Sequence, residues 1–461
     1  MSSTGDSIVA LSTPPGRGGI GVIRVSGPHA LSTLQRMTAD TTEIAPEPNY
    51  MNLREIVDPF TTETLDHSLV CYFKAPHSFT GEDVVEFHCH GAPVLLRRIL
   101  DTILRFDVRL ATPGEFSLRA VMNGRLQLTQ AEAIRDLIDA QTDLAAQQAT
   151  RQLSGALSHR LQPAKDQLLK MIVRLESSLQ FVEDDLPQLE QTEIENALSS
   201  LRTDLRALAE TFTRGRLLHD GLTVAIIGRP NAGKSSLFNM LLGHERAIVT
   251  DVPGTTRDTI SEPIGWDGIP ITLIDTAGMR TTTDQVESLG VERTRRVAAD
   301  ADLLVIVVDG SQPLTEEDRS VLQEANGRHH IVAVNKNDLP NFSLQRIAEK
   351  VTSTAASAAA ISVSALTTDG LTELRAAMLK PFVNGNGAAE GLMITNARHH
   401  DLLLRSIIAI DSSEVLIKER ASEEIILVGL HNALKFLGEI TGETTTEEIL
   451  GQIFSTFCIG K

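Results

Sequence analysis

With 461 residues, 42% apolar and 22% charged, the chain is too long for a single hydrophobic core and has the balance of a multidomain globular protein. Its formal charge of −18 weighs against non-specific nucleic-acid affinity, which comes from many Lys and Arg contacts to phosphate, so any RNA must be met by a local patch or with a partner's help. No stretch approaches the ~18 apolar residues of a membrane helix. The start MSSTGDSIVALSTPPG lacks the parts of a signal peptide, and three cysteines, Cys71, Cys89 and Cys458, make no disulfide framework, so a cytoplasmic protein is expected.

Residues 1–120 alternate short apolar runs with Gly and Pro, as in GIGVIRVSG, LVCYFKAP and EDVVEFHCHG, which predicts a mixed α/β region with several strands. Within it, HCH puts His88 and His90 on one strand face without a further ligand pair, so strand residues are preferred to a metal site. GRGGIG at 16–21 lacks the βαβ unit and acidic partner of a dinucleotide loop and reads as a turn. From Thr129, TQAEAIRDLIDAQTDLAAQQATRQL opens with a capping-box spacing, Thr129 to Glu132, and sets Ile134, Leu137, Ile138, Leu144 and Ala145 near one helical face. Between 194 and 212 a heptad-type seam runs through Ile194, Leu198, Leu201, Leu205, Leu208 and Phe212.

After RGRLLHDG at 214–221 the period changes. Apolar runs at 222–227, 271–274, 303–308 and 331–334, separated by helix-length segments, predict a βαβ domain with a parallel sheet. NGNGAAEG at 384–391 reads as a flexible linker, after which helical texture returns with a second capping-box spacing at Thr444 and Glu447. The simplest arrangement is a nucleotide-type domain inserted into a helical one. The chain ends FSTFCIGK; Cys458 sits where a prenylation box would, but the final Lys461 and the missing basic stretch argue against lipidation. Cys458 is either a nucleophile or a small buried hydrophobe, and burial is the expectation.

GRPNAGKS at 228–235 satisfies G-x-x-x-x-G-K-S after an apolar strand and before SLFNML. Such a loop curls backbone N–H groups around phosphate, Lys234 adds charge, and Ser235 offers a hydroxyl to Mg²⁺. DTAG at 275–278 places Asp275 toward that ion and the Gly278 N–H near a γ-phosphate. In NKND at 335–338, Asp338 can accept two hydrogen bonds from guanine N1–H and the 2-amino group, a donor pair adenine lacks, so GTP is the expected nucleotide. SVSA at 362–365 supplies a backbone contact to the base. Signalling GTPases carry a water-orienting Gln after D-T-A-G; here Met279 stands there. Asn231, with carbonyls of TDVPGTTRD at 250–258, suggests a monovalent-cation site in place of an arginine finger, though Asn231 also fits an ordinary loop residue. Glu287 in DQVES is a candidate to place water, or else a solvated helix-end glutamate.

PPGRGGIGVIRVSG, SFTGED at 78–83, GEFSLRAVMNGRLQLTQAEAI at 114–134, the G motifs with GTTRD, and FCIGK together resemble the tRNA modification GTPase family MnmE, also called TrmE, along the whole chain. The resemblance implies a multidomain α/β plus all-α fold: an N-terminal folate-binding and dimerisation domain over 1–122, a helical domain over 123–216 and 384–461, and an inserted G domain with a mainly parallel sheet over 217–383. It implies a K⁺-stimulated GTP hydrolase that works as a homodimer. With an FAD-containing partner, MnmG (GidA), in a heterotetramer-type complex, it would install an aminomethyl-type group at C5 of the wobble uridine of certain tRNAs. The carbon would come from 5,10-methylene-tetrahydrofolate, with 5-formyl-tetrahydrofolate as a bound analogue.

The implied nucleotide set is Asn231, Ala232, Gly233, Lys234, Ser235, Ser236, Thr250, Asp251, Val252, Pro253, Gly254, Thr255, Thr256, Asp275, Thr276, Ala277, Gly278, Asn335, Lys336, Asp338, Ser362, Val363 and Ser364. Implied K⁺ ligands are Asn231, Thr250, Val252 and Thr255; Mg²⁺ ligands are Ser235 and Thr256; Glu287 would orient water. Implied folate contacts are Arg24, Glu82, Arg125 and Lys461, with Arg125 a departure from the family's frequent Lys, a planar fork for a point charge. A Gly-Lys end would let the terminal cation reach folate carboxylates in the N-terminal domain. The rival classes are a switch GTPase of ribosome-assembly type that modifies nothing, and a folate-dependent aminomethyl transferase with a regulatory G domain.

Overall fold

A computed structural model of the chain describes residues 5–38, 46–180, 191–243, 261–275, 301–354, 359–382 and 391–460. Contacts gather into two units, one of Met1–Ile138, Gln152–Leu189 and Leu416–Lys461, the other of Asp139–Arg151 and Glu190–Val415. The two sheets and the helices around them give the α/β plus all-α architecture expected from the sequence.

The first unit holds a mixed six-stranded sheet of β1 (Ser7–Leu11), β2 (Ile20–Ser26), β3 (Met51–Asp58), β4 (Glu63–Phe73), β5 (Val84–His90) and β6 (Val108–Leu110), in the order β3-β4-β5-β2-β1-β6. β1 runs parallel to β6, and the other neighbours pair antiparallel. Alternation sorts β2: Ile23 and Val25 are buried with Leu34, Phe87, Leu96 and Ile99 beneath α1 (Ala30–Met37) and α2 (Pro93–Ile103), while Arg24 and Ser26 share the opposite face. Ile8 and Ala10 of β1 pack with Ala111 and Phe116 in a separate cluster.

Helices α3 (Glu115–Met122), α4 (Leu128–Asp139), α6 (Ala156–Gln180), α14 (Glu423–Thr441) and α15 (Glu447–Phe454) complete this unit; α5 (Asp143–Leu153) follows α4 in the chain. Leu128 and Ala131 close a core with Leu450, Phe454 and Phe457. Gly114 precedes α3 at φ +67, and a Cβ there would stand 2.5 Å from the Phe454 carbonyl oxygen, so only glycine lets the C-terminal segment approach this closely.

Both capping-box readings fail. Thr129 lies inside α4, fully buried, with its hydroxyl 3.3 Å from Ser158 Oγ. Glu447 is the first residue of α15 after Thr446, and Thr444 Oγ1 donates instead to Lys435 O. The single helix expected through Ala145 is two. The chain leaves helical form after Asp139, and Thr142 Oγ1 accepts from Ala145 N to cap α5. The buried face of α4 carries Leu128, Ala131, Glu132 and Asp136, whereas Ile138, expected inside, is 44% exposed.

The second unit contains β7 (Leu222–Ile227), β8 (Ser261–Trp266), β9 (Ile269–Asp275), β10 (Leu303–Asp309), β11 (His330–Asn335) and β12 (Ala359–Ser362), ordered β12-β11-β10-β7-β9-β8. All pair parallel except β8, which folds back on β9. Both sides of β10 are buried along its length, as its unbroken apolar run requires. The seam holds: Ile194, Leu198, Leu201, Leu205 and Leu208 of α7 (Gln191–Glu210) are buried. Phe212 opens α8 (Phe212–Asp220) and stacks on His400 at 4.2 Å. Among the described residues no helix is long and apolar enough to cross a membrane.

Candidate functional site

In the second sheet β7 lies between β9 and β10, so its carboxyl end stands where consecutive crossovers part to opposite sides, the position at which open α/β sheets bind ligands. The 228–235 loop leaves there. Gly228 has φ +148, and a Cβ would meet Val307 O at 2.4 Å, so the loop's first turn presses on the neighbouring strand. Asn231 is exposed and held at φ +61, a conformation costly for most residues and least so for Asn. Lys234 begins α9 (Lys234–Gly243), and its Nζ donates to Arg229 O at 2.8 Å. Ser235 and Ser236 are exposed on the first turn of α9, where helix N–H groups lack internal partners. Asp275 ends β9, buried.

The base-reading segments are braced against this loop. Asn335 Nδ2 donates to Ala232 O at 2.9 Å, while Asn335 Oδ1 accepts from Ala365 N at 3.0 Å, so one amide ties the phosphate loop to the 362–365 segment. Ser364 Oγ donates to Asp338 Oδ1 at 2.7 Å and accepts from Leu366 N and Thr367 N. Val363 is fixed by exchange with Val334 O and Asn337 N. Lys336, at φ +69, places Nζ 2.6 Å from Asp309 Oδ2. Burial raises the Asp309 pKa, but Lys336 and Ser311 outweigh it and hold the carboxyl below its ordinary value.

The structure thus brings 228–236, Asp275, 335–338 and 362–365 together at one sheet edge. Thr250, Asp251, Val252, Pro253, Gly254, Thr255, Thr256, Thr276, Ala277, Gly278 and Glu287 lie outside the described residues. The exposed hydroxyl of Ser235 and the buried carboxylate of Asp275 are hard oxygen donors of the kind Mg²⁺ takes. Asp309 was not singled out from sequence, because it acts through the chain-distant Lys336, whereas Ala365 closes the expected SVSA segment with its N–H given to Asn335 Oδ1.

In the first unit, Arg24 pairs through its guanidinium with Glu86 Oε1 at 2.8 Å and lies over the rings of Phe79 and Phe116 at 5.5 and 5.7 Å. Ser26, on the same face of β2, donates to Glu82 Oε2 at 2.7 Å. Arg125 Nε donates to Ser78 O at 3.1 Å, at the start of the turn that carries Glu82. Behind Glu82 lies an ion network missed in the sequence. Arg119 gives Nη1 to both Glu82 oxygens (3.1 and 3.2 Å) and Nη2 to Asp6 Oδ1 (2.7 Å) and Glu115 Oε1 (2.9 Å). Arg109 grips Glu115 with two nitrogens and Asp6 with Nε. Burial alone would raise the Glu115 pKa; Arg109, the Thr112 N–H and Arg119 reverse this and bring it to about 2.

The C-terminal segment docks on the same domain: Ser12 Oγ donates to Gly460 O at 3.2 Å, and Gly114 N to Cys458 O at 3.3 Å. Lys461 lies outside the described residues. Cys458 is exposed, against the expectation of burial; Phe454 and Phe457 take the core positions and turn it outward. His88 Nε2 lies 3.2 Å from Glu86 and His90 Nδ1 2.7 Å from Asp66, and among the described residues no group of His, Cys, Asp and Glu is arranged to hold a metal.

Comparison with known proteins covers nearly the whole chain. The profile of the MnmE helical domain matches residues 128–458, and that of the GTP-binding protein TrmE N-terminus matches 7–125. A protein of Koribacter versatilis named tRNA modification GTPase MnmE is 43% identical over 460 residues, 99% of either chain. One of the same name from Aquifex aeolicus is 41% identical over 459 residues, covering 99% of this chain and 100% of its own.

Proposed function

The chain belongs to the MnmE family of tRNA modification GTPases, and from that premise we propose that it hydrolyses GTP in the service of wobble-uridine modification in tRNA. The observation that carries the GTPase half is Asn335, whose single amide joins the phosphate loop to the segment facing the base, with Asp338 held by Ser364 for a guanine donor pair. Lys234 and the α9 N-terminus bind the phosphates, and Ser235 and Thr256 hold Mg²⁺. A bound Mg²⁺ supplies charge that offsets the negative charge gathering on the phosphate oxygens. In place of the missing Gln, Asn231, Thr250, Val252 and Thr255 hold K⁺ and Glu287 orients water; the exposed Asn231, at φ +61, supports the first of these roles.

The domain plan we propose is a folate-binding and dimerisation domain over 1–122, a helical domain of 123–216 and 384–461, and a G domain over 217–383. Arg24, Glu82, Arg125 and Lys461 then bind the tetrahydrofolate that carries the one-carbon unit, and Ser12 and Gly114 support this by anchoring the segment that ends in Lys461. The partner is the FAD protein MnmG, and GTP turnover couples to the joint chemistry on RNA. Nucleoside analysis of tRNA tests the whole reading. A strain lacking the protein should lose its C5-modified wobble uridines and regain them when the gene returns, whereas unchanged uridines would favour the non-modifying switch.

A further inference from the structure

We propose that Arg119 is a positioning residue for the ligand site at Glu82: its guanidinium holds that carboxylate in the one orientation from which it meets a ligand's paired N–H donors. The proposal rests on the folate reading above and takes the donors to be those of the pterin ring. Arg119 is 7% exposed, and its partners divide into two that Arg109 also holds and one that it does not. Glu115, 2% exposed, is gripped by Arg109 as well, and Asp6 is shared by the two arginines, so both of these carboxylates keep a partner if Arg119 is altered. Glu82 is different. Its cationic contact in the network is Nη1 of Arg119, and its remaining support on that carboxylate is the neutral Ser26 hydroxyl, itself 2.7 Å from Thr80 Oγ1. Its side chain keeps 19% of its surface, against 8% for Arg119 and 2% for Glu115, so a ligand can reach the carboxylate that Arg119 holds from its buried side.

A guanidinium suits this task better than an ammonium. Nη1 reaches both Glu82 oxygens and the Asp6 carbonyl while Nη2 spans Asp6 and Glu115, a planar fork that fixes direction as well as charge. A ligand with two adjacent donors then finds a carboxylate already oriented and loses less on ordering it.

A double-mutant cycle on the full chain tests this, with 5-formyl-tetrahydrofolate as the probe. Glu82→Gln should weaken binding ~10- to 100-fold and Arg119→Lys about 10-fold. In the Glu82→Gln background Arg119→Lys should add less than about twofold, since its effect passes through the carboxylate. Arg109→Lys, which loosens the same network without touching Glu82, should leave the Kd within about twofold. Additive losses, or an equal loss from Arg109→Lys, would overturn the proposal in favour of a general structural role. Should Arg119→Lys not fold, a structure of the liganded wild-type chain decides: both Nη1 contacts to Glu82 persist if the role is real, and a Glu82 swung away from Arg119 refutes it. A wild-type chain that does not bind the probe removes the folate reading and this role together, whereas binding with an additive cycle removes the role alone.

Discussion

The two candidate sites of this chain are built differently. Around Glu82 the charged groups are already answered: Arg119 meets Asp6, Glu82 and Glu115, and Arg109 holds Asp6 and Glu115. Around the 228–235 loop Lys234 donates to the Arg229 carbonyl and Asp338 accepts from the Ser364 hydroxyl, with the ion pair of Lys336 and Asp309 behind them. A ligand entering the first site adds to a fixed lattice; one entering the second exchanges contacts that the protein makes with itself. Exchange suits a site that must bind and release at every turnover, and a fixed lattice suits one that holds a carrier in place.

The largest expected effect tests the exchange at Asp338. Asp338→Asn removes the acceptor pair for guanine while leaving Asn335 to brace the loops, so GTP affinity should fall by about 100-fold or more and xanthosine triphosphate should bind better than GTP. Nucleotide competition measures both. Retained preference for guanine would mean the base is read elsewhere, and the contrast between the sites would lose its nucleotide half.

How much of this was legible beforehand follows from the range of the forces. β10 could be read because a strand buried on both faces needs LLVIVV, and α7 because one buried stripe repeats every three to four residues. β8 was missed: SEPIGW carries a Pro and a Gly and shows no alternation, although the Asp267-Gly268 turn behind it is a hairpin signal. The capping boxes misled because T-x-x-E reports a spacing and not whether the helix has already begun; Leu128 is helical before Thr129, in a position packed by Gly442 and Phe454 from the far end of the chain. Arg119 escaped notice for a similar reason, its partners Asp6 and Glu82 standing 113 and 37 positions away.

The next effect sharpens the lattice side. Glu115 titrates near 2 in the folded protein, below its ordinary 4.5, so its contribution is complete above about 4.5 and is lost as pH falls through the folded value. Glu115→Gln should therefore cost roughly 2 to 3 kcal/mol at neutral pH, and its stability curve should converge on the wild type's between pH 4.5 and 2. Both tyrosines, Tyr50 and Tyr72, belong to the first unit, and tyrosine absorbance during urea unfolding follows it apart from the second unit, which holds Trp266. Curves that stay parallel through this window would show that the network does not hold Glu115 ionised.

The smallest effect concerns the charge that the nucleotide site lacks. In the described phosphate loop Arg229 is turned toward Asp309 and Asp318, leaving Lys234 and an outward Asn231, and Met279 has no group to orient water. If an amide oxygen and loop carbonyls are to gather a cation there, its size decides the fit: K⁺ matches a wide ring of neutral oxygens, and Na⁺ draws such a ring too tight. Turnover in KCl should then exceed that in NaCl at equal ionic strength by about 10-fold, a barrier difference of ~1.4 kcal/mol, and Asn231→Ala should erase the difference while leaving GTP affinity nearly intact. Equal rates in the two salts would remove the role given to Asn231.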